Sequence, residues 1–219
     1  TTEIYTLSLH DALPIYPDGN RVAILRSLTL LRQLALHPAL LDDAYATVES
    51  AKVEMLVEML VELASEGHRA LVFSQFTTFL RLVRERLTEE GMPTCYLDGR
   101  TRDREARIRE FRDGTAPAFL ISLKAGGFGL TLTEADYVFV MDPWWNPAAE
   151  AQAVDRAHRI GQDKHVMVYR LVSAGTIEEK VVALQERKRD LFARVVDGGS
   201  IGSGVLTAAD IAALLDSRG

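Results

Sequence analysis

Hydrophobic residues recur at three- and four-residue intervals through RVAILRSLTLLRQLALHPALL (21–41), which predicts a helix stopped by Pro38. A polar connector, DDAYATVES, follows. Residues 51–66 place Val53, Leu56, Val57, Leu60, Leu63 and Ala64 on one helical face, with Gly67 as the C-terminal stop. The pattern then changes to short continuous apolar runs separated by amphipathic stretches. ALVFS (70–74) reads as a strand, and a helix through Phe79, Leu80, Val83 and Leu87 ends at Gly91. TCYL (94–97) is the next strand, then a helix over 102–112, strand AFLIS (118–122), a Gly-rich turn, and strand YVFVM (137–141). A helix over 147–160, strand VMVYRLV (166–172) and a long helix over 176–195 complete the alternation. GGSIGSG (198–204) reads as a linker, and a short helix over 207–215 closes the chain.

Short apolar strands alternating with helices predict an α/β fold: a parallel sheet with helices on both faces. Ligands of such sheets collect at the carboxyl ends of the strands. The informative loops are therefore SQF, DGRT, SLKAGGFG and DPWWNP, each just after a strand.

The bulk numbers narrow the class. A chain of 219 residues with 47% hydrophobic and 26% charged content is globular and large enough to bury a core. No apolar run reaches the roughly 18 to 20 residues of a membrane span, so no membrane association is expected. The single Cys95 excludes an internal disulfide and suits a reducing compartment, which makes the cytoplasm the expected location. One Cys and five His without ligand spacing predict no metal site. The net charge of -6 argues mildly against a nucleic-acid binder, although local patches decide phosphate contacts. Residues 1–15, TTEIYTLSLHDALPI, have no period, and Asp-Ala-Leu-Pro-Ile is what a short-read sequencing adapter encodes in translation. This segment is expected to be an artefact and is kept out of the functional reading.

Four stretches carry chemistry. In the helix over 147–160, Asn146 caps, Pro147 takes the first position, and Gln152, Asp155, Arg156 and Arg159 fall at i, i+3, i+4 and i+7 on one face. Ala149, Ala153, Ala157 and Ile160 form another face, suited to close packing. Two guanidiniums one turn apart match phosphate with rigid forks of donors, or else belong to a solvated charged face. SLKAGGFGLT (122–131) is either a glycine cradle for an anion or a tight turn. It is not a P-loop, because no G-x-x-x-x-G-K-[ST] occurs in the chain. DPWWNP (142–147) offers Trp144 and Trp145 as a stacking platform, with a core role open to one of them. In DGRTRDREARIREF (98–111), Arg100, Arg102 and Arg104 reach phosphates or are neutralised by Asp103, Glu105 and Glu110.

The order LVFSQF, YLDGRT, LISLKAGGFGLTLTEADYVFVMDPWWNP and EAQAVDRAHRIGQDKHVMVYRLVSAGTIEEKV closely resembles the second RecA-like lobe of Swi/Snf-type DNA translocases, members of the superfamily-two helicase-like ATPases. The segment LRQLALHPALL resembles the lead into that lobe, so the resemblance spans roughly residues 21–196. It implies that Arg156 and Arg159 are arginine fingers on the γ-phosphate of ATP, with Gln152 and Asp155 beside them. It implies that Gly127 and Gly129 belong to the turn that couples nucleotide to DNA. It also implies that Ser74, Lys124 and one of Trp144 and Trp145 meet the DNA backbone.

The implied organisation is a helical lead-in and connector over 16–50, the lobe with its closing helix over 51–196, and a linker with a short helix over 197–219. The implied partners are double-stranded DNA, an N-terminal RecA-like lobe of the same polypeptide, and a transcription or repair complex. The implied location is the nucleoid if the source is bacterial. ATP and Mg²⁺ are expected to be held mainly by the first lobe, whose P-loop Lys and acidic residues are not in this sequence. The chain is expected to be half of an ATPase and inactive alone. A strand-separating helicase lobe and a non-catalytic DNA-binding module remain as alternatives.

Overall fold

The apolar runs pair with one another, as their lack of a polar side requires. In a computed structural model, which describes residues 19–123, 125, 132–145, 166–195 and 208–215, they form one five-stranded parallel sheet. The strands are β1 (Ala70–Ser74), β2 (Thr94–Leu97), β3 (Ala118–Ser122), β4 (Tyr137–Val140) and β5 (Met167–Arg170), in the order β2-β3-β1-β4-β5. β1 is central: Ala70 registers with Ala118 of β3 on one side and with Tyr137 of β4 on the other. The three inner strands are almost wholly buried, and the two edge strands are only partly so.

The helices are α1 (Gly19–Leu36), α2 (Ala51–Ser65), α3 (Thr77–Glu89), α4 (Arg104–Asp113), α5 (Ile177–Val195) and α6 (Ala208–Leu215). The period-two alternation along each strand divides the core between the two faces. Ala70, Val72, Ala118, Leu120 and Phe139 join Val53, Leu56 and Leu60 of α2 and Phe79, Leu80 and Val83 of α3. Leu71, Phe73, Phe119, Ile121, Val138 and Val140 face the other way, where α4 contributes Phe111. A third cluster, Leu28, Val181, Leu184, Ile211 and Leu214, joins α1, α5 and α6 and takes in Trp145.

The crossover directions explain why α3 and α4 lie on opposite faces. From β1 the chain moves past β3 to β2, then returns toward β1 to lay down β3. Parallel crossovers share one hand, so opposite directions of travel put the two connecting helices on opposite faces. The chain leaves β1 toward β2 but leaves β4 toward β5, on the other side. Neighbouring β1 and β4 therefore open a switch point at their carboxyl ends.

Local chemistry sets the boundaries. Gly67 and Gly91 sit at φ 80 and 71 and terminate α2 and α3 as the sequence predicts. At the end of α2, His68 N–H donates to Leu63 O at 2.9 Å and Gly67 N–H to Ala64 O at 3.1 Å, which satisfies carbonyls the helix itself leaves open. α4 begins two residues later than the expected 102, because the Asp103 carboxylate accepts from Ala106 N–H at 2.8 Å and acts as the cap. The apolar pattern over 21–41 is broken at Leu36, where His37 accepts from Ala39 N–H at 3.0 Å and Pro38–Leu40 forms a separate 3-10 turn. The outer strand is shorter than 166–172, pairing only over Met167–Arg170. The expected turn over 126–131 and helix over 147–160 lie outside the described residues. Among the described residues, no helix is long and apolar enough to cross a membrane.

This partition makes a stability prediction. Leu120 is fully buried at the centre of the sheet, whereas Met55 on α2 is 56% exposed. Leu120→Ala should cost about 2–5 kcal/mol and Met55→Ala less than about 0.5 kcal/mol, read from urea unfolding midpoints of the chain. Equal losses would contradict the assignment of the α2 faces.

Candidate functional site

The switch point is organised around one carboxylate. Asp142 lies two residues beyond the end of β4, has no solvent exposure, and faces the loop that follows β1. Ser74 Oγ donates to Asp142 Oδ1 at 2.5 Å, and Gln75 N–H reaches both oxygens at 3.2 and 3.3 Å. The Gln75 side-chain amide donates to Oδ2 as well. Ser74 Oγ in turn accepts from Phe76 N–H at 3.1 Å, which turns the chain from β1 into α3. The two strand-end loops are thus stitched together through Asp142.

The counter-charge comes from α1. Arg32 is 2% exposed, and its Nη2 lies 3.4 Å from Asp142 Oδ2 and 2.6 Å from the carbonyl oxygen of Pro143, to which it donates. Its guanidinium carbon lies 4.3 Å from the centre of the Trp145 ring and 5.5 Å from that of Phe76. The cation therefore lies over the aromatic rings while it donates to the loop, a combination that suits the broad guanidinium of Arg better than the point charge of Lys.

A second buried ion pair lies beside the first. Lys52, at the start of α2, donates to Met141 O at 3.0 Å and to the Glu178 carboxylate at the start of α5. Glu178 Oε2 also accepts from Ser173 N–H at 2.8 Å, and Ser173 Oγ donates to Ala35 O of α1 at 2.8 Å. Gln185, two turns along α5, donates from Nε2 to Trp144 O at 2.5 Å. Residues 141–145 are consequently gripped from α1, α2, the loop after β1, and α5.

Burial sets the electrostatics of this cluster. It pushes the Asp142 carboxyl up from its ordinary range, while the Arg32 guanidinium and the Ser74 and Gln75 donors pull it back. Burial likewise raises Glu178 against the pull of Lys52, and lowers Lys52 and Arg32 against the pull of the carboxylates. Among the described residues, the groups aimed at the Asp142 oxygens are N–H and O–H donors, so the ionised form is the one this geometry satisfies. Arg32 Nε and Glu178 Oε1 have no hydrogen-bond partner among the described residues. The network uses its charge internally and works as a fastener, not as a reactive group.

The predicted site residues are distributed unevenly over this frame. Ser74, expected to meet DNA, is fully buried with its hydroxyl engaged by Asp142 and Phe76, so it holds the loop instead of presenting an oxygen outward. Trp144 and Trp145 are both half-buried, and Trp145 packs against the cluster of α1, α5 and α6. This fits the open core role for one of the pair. Arg100 and Arg102 are exposed after β2 at the same edge of the sheet. The turn that carries them is held by Asp98, which accepts from Arg100 N–H at 2.8 Å. Burial pushes the Asp98 carboxyl up, but hydrogen bonds from Arg100, Tyr96 and Thr101 outweigh it and hold the group below its ordinary range. Lys124, Gly127, Gly129, Gln152, Asp155, Arg156 and Arg159 lie outside the described residues.

Sequence reading missed Arg32, Lys52, Asp142, Glu178 and Gln185. A signal existed for the first two. Arg32 falls midway between the inward Leu28 and Leu36 at i+4 spacing, and Lys52 precedes Leu56 and Leu60 in the same way. A charge on an inward apolar stripe needs a buried partner.

The pairing can be tested by neutralising one side and then both. Lys52→Met leaves Glu178 buried without its cation and should cost roughly 3–5 kcal/mol, whereas Lys52→Met with Glu178→Gln should recover most of the loss. Denaturant unfolding of the three proteins measures this. A double variant no more stable than the single one would show that the ion pair is not the source of the loss.

Comparison with known proteins places this geometry. Residues 51–161 match the helicase conserved C-terminal domain, a span that includes β1 to β4 with Ser74, Gln75 and Asp142. Protein CHROMATIN REMODELING 24 of Arabidopsis thaliana is 47% identical over 146 residues, 65% of this chain and 13% of that protein. The SNF2 domain-containing protein ENL1 of Oryza sativa subsp. japonica is 47% identical over 146 residues, 65% of this chain and 15% of that protein. The chain thus spans a small part of the length of these relatives. Among solved structures, the C-terminal part of the Fun30 ATPase domain superposes with a TM-score of 0.65 at 31% identity, covering 77% of this chain and 52% of that one. The parallel sheet, the matched span and these relatives agree: the chain belongs to the helicase conserved C-terminal domain family, as a RecA-like lobe of the SNF2 type.

Proposed function

We propose that the chain is the second motor lobe of an ATP-dependent double-stranded DNA translocase that remodels protein–DNA complexes. The observation that carries this reading is the buried Asp142 network, which anchors the loop 142–145 at the switch point of a helicase C-terminal lobe. The Q-x-x-D-R-x-H-R-x-G-Q stretch begins seven residues after that loop, at Gln152. In this reading Arg156 and Arg159 are arginine fingers, Gln152 meets the nucleotide beside them, Asp155 binds it or orients the arginines, and Gly127 and Gly129 form the coupling turn. Lys124 and the tryptophan loop meet the DNA backbone, joined by the exposed Arg100 and Arg102. The relatives' names point to chromatin as one kind of protein–DNA complex.

The donor chemistry suits a nucleotide phosphate and not its metal. Two guanidiniums supply forks of N–H donors. The described residues contain no group of three or more His, Cys, Asp or Glu placed to hold a metal ion. In this reading Mg²⁺ and most of the nucleotide are held by a first RecA-like lobe of the same polypeptide. What this chain contributes is positive charge on the transferring phosphoryl group, an effect worth roughly 10³ to 10⁵ in rate for arginine fingers.

In the complete two-lobed polypeptide, Arg156→Ala or Arg159→Ala should lower DNA-saturated ATP turnover by orders of magnitude while ATP binding changes far less. Arg→Lys should not rescue, because Lys lacks the planar fork. Near-normal turnover in a well-folded double Ala variant would reduce these arginines to a solvated face. The 219-residue chain alone should show no DNA-stimulated hydrolysis, and measurable turnover there would reject the two-lobe reading. Lys124→Ala should weaken duplex binding by the chain and lower the salt slope by about one ion. An unchanged slope would remove Lys124 from the contact set.

A further inference from the structure

Both tryptophans of the chain, Trp144 and Trp145, sit in one loop, and beside the apolar packing of Trp145 on the cluster that holds Leu28, α1 meets that loop with a charged side chain of unusual placement. Arg32 is a cation with 2% exposure on a helix whose other inward residues are Leu28 and Leu36. Its Nη2 donates to Pro143 O at 2.6 Å and lies 3.4 Å from Asp142, and its guanidinium carbon is 4.3 Å from the centre of the Trp145 ring. Stability alone does not explain such a group, because a well-packed apolar side chain would serve a core at least as well as a buried charge. Arg32 instead fixes three things at once: the carboxylate that ties the loop to β1, the backbone between Asp142 and Trp144, and the plane of the Trp145 ring.

We propose that Arg32 is a positioning residue that sets the orientation of Trp145 and the loop 142–145, and so makes the lead-in helix α1 part of the DNA-engaging apparatus. The role of the loop rests on the function proposed above; the orienting contact rests on the geometry of α1 alone. The stack covers one face of the indole and holds the ring at a defined angle, while the bond to Pro143 O blocks rotation of the loop backbone. Removing the guanidinium frees both motions without removing any residue of the loop. Phe76, on the path from β1 into α3, lines the Arg32 guanidinium at 5.5 Å. The cation therefore also ties the two loops of the switch point to one another.

The test uses the fact that the intrinsic tryptophan emission of this 219-residue chain reports on this loop alone. Arg32→Met and Arg32→Lys are compared with the parent chain by melting and by acrylamide quenching of tryptophan fluorescence. Both variants should raise the quenching constant while the fold is retained. If Arg32→Met fails to fold because Asp142 is left unpaired, Arg32→Met with Asp142→Asn removes both charges and is read in its place. In the complete polypeptide, the same substitution should lower DNA-saturated turnover by roughly 10- to 100-fold, the scale of an ångström-sized misplacement, with the KM for ATP little changed. Placed on Trp145→Ala, it should lower turnover no further, because two residues acting through one contact do not multiply. Unchanged quenching in a folded variant, or losses that multiply with Trp145→Ala, would overturn the positioning role. If Trp144→Ala and Trp145→Ala are themselves silent in turnover and duplex binding, the proposed function of the loop fails, while the quenching result still decides whether Arg32 orients it.

Discussion

Two buried ion pairs, Arg32 with Asp142 and Lys52 with Glu178, are the constraint on which the working edge of this lobe depends. Each ion taken from water costs several kcal/mol even after relaxation, so none of the four could persist at this depth without its partner. Every partner comes from a different part of the chain: α1, the start of α2, the end of β4 and the start of α5. The electrostatic requirement therefore acts as a geometric one. It forces two helices at the start of the described chain and one near its end to converge on the carboxyl edge of the sheet, where apolar packing alone would leave them free to slide. The hydrogen bonds from Ser74 and Gln75 to Asp142 and from Ser173 to Glu178 Oε2 add direction to the cluster.

The sheet supplies the platform for that convergence. Because each inner strand is apolar on both sides, its alternating residues feed two separate cores, and neither core can be lost without exposing the other. Strand order then decides where the loops meet. β1 and β4 are neighbours whose connections depart in opposite directions, so the loops 74–76 and 142–145 are adjacent without crossing. A carboxylate at the end of one strand and a hydroxyl at the end of the other are thereby brought into hydrogen-bonding range across 68 positions of sequence. The same edge carries the exposed Arg100 and Arg102 after β2, which gives it polar groups held inward and cations held outward.

That division of labour bears on the proposed chemistry. A network whose charges are all matched internally has little capacity left for an external phosphate, so it is suited to holding a loop still. The residues proposed to reach nucleotide are others, Arg156 and Arg159. Catalysis by electrostatic stabilisation needs donors that do not have to reorganise during the reaction. A loop gripped from four elements meets that requirement for the residues 142–145 themselves.

Much of this was readable without coordinates. The strands at 70–74, 94–97 and 118–122, the helices that end at Gly67 and Gly91, and the parallel class of the sheet all followed from local pattern, because period, burial and turn chemistry are properties of short windows. The motif order from LVFSQF to RIGQ pointed to the family for the same reason: motifs are contiguous. Strand order was not readable, since every inner strand is apolar on both sides and no pattern ranks one above another. Nor was the role of Ser74 or Asp142. A serine after a strand looks the same in sequence whether it faces solvent or a carboxylate 68 residues away. Arg32 and Lys52 show both sides of this limit. Their place on an apolar stripe announced that each was buried, but the identity of the partner depended on which strand ends were neighbours. Only the three-dimensional packing of the sheet decides that, because the energy of a buried charge is set by what surrounds it in space and not by what adjoins it in the chain.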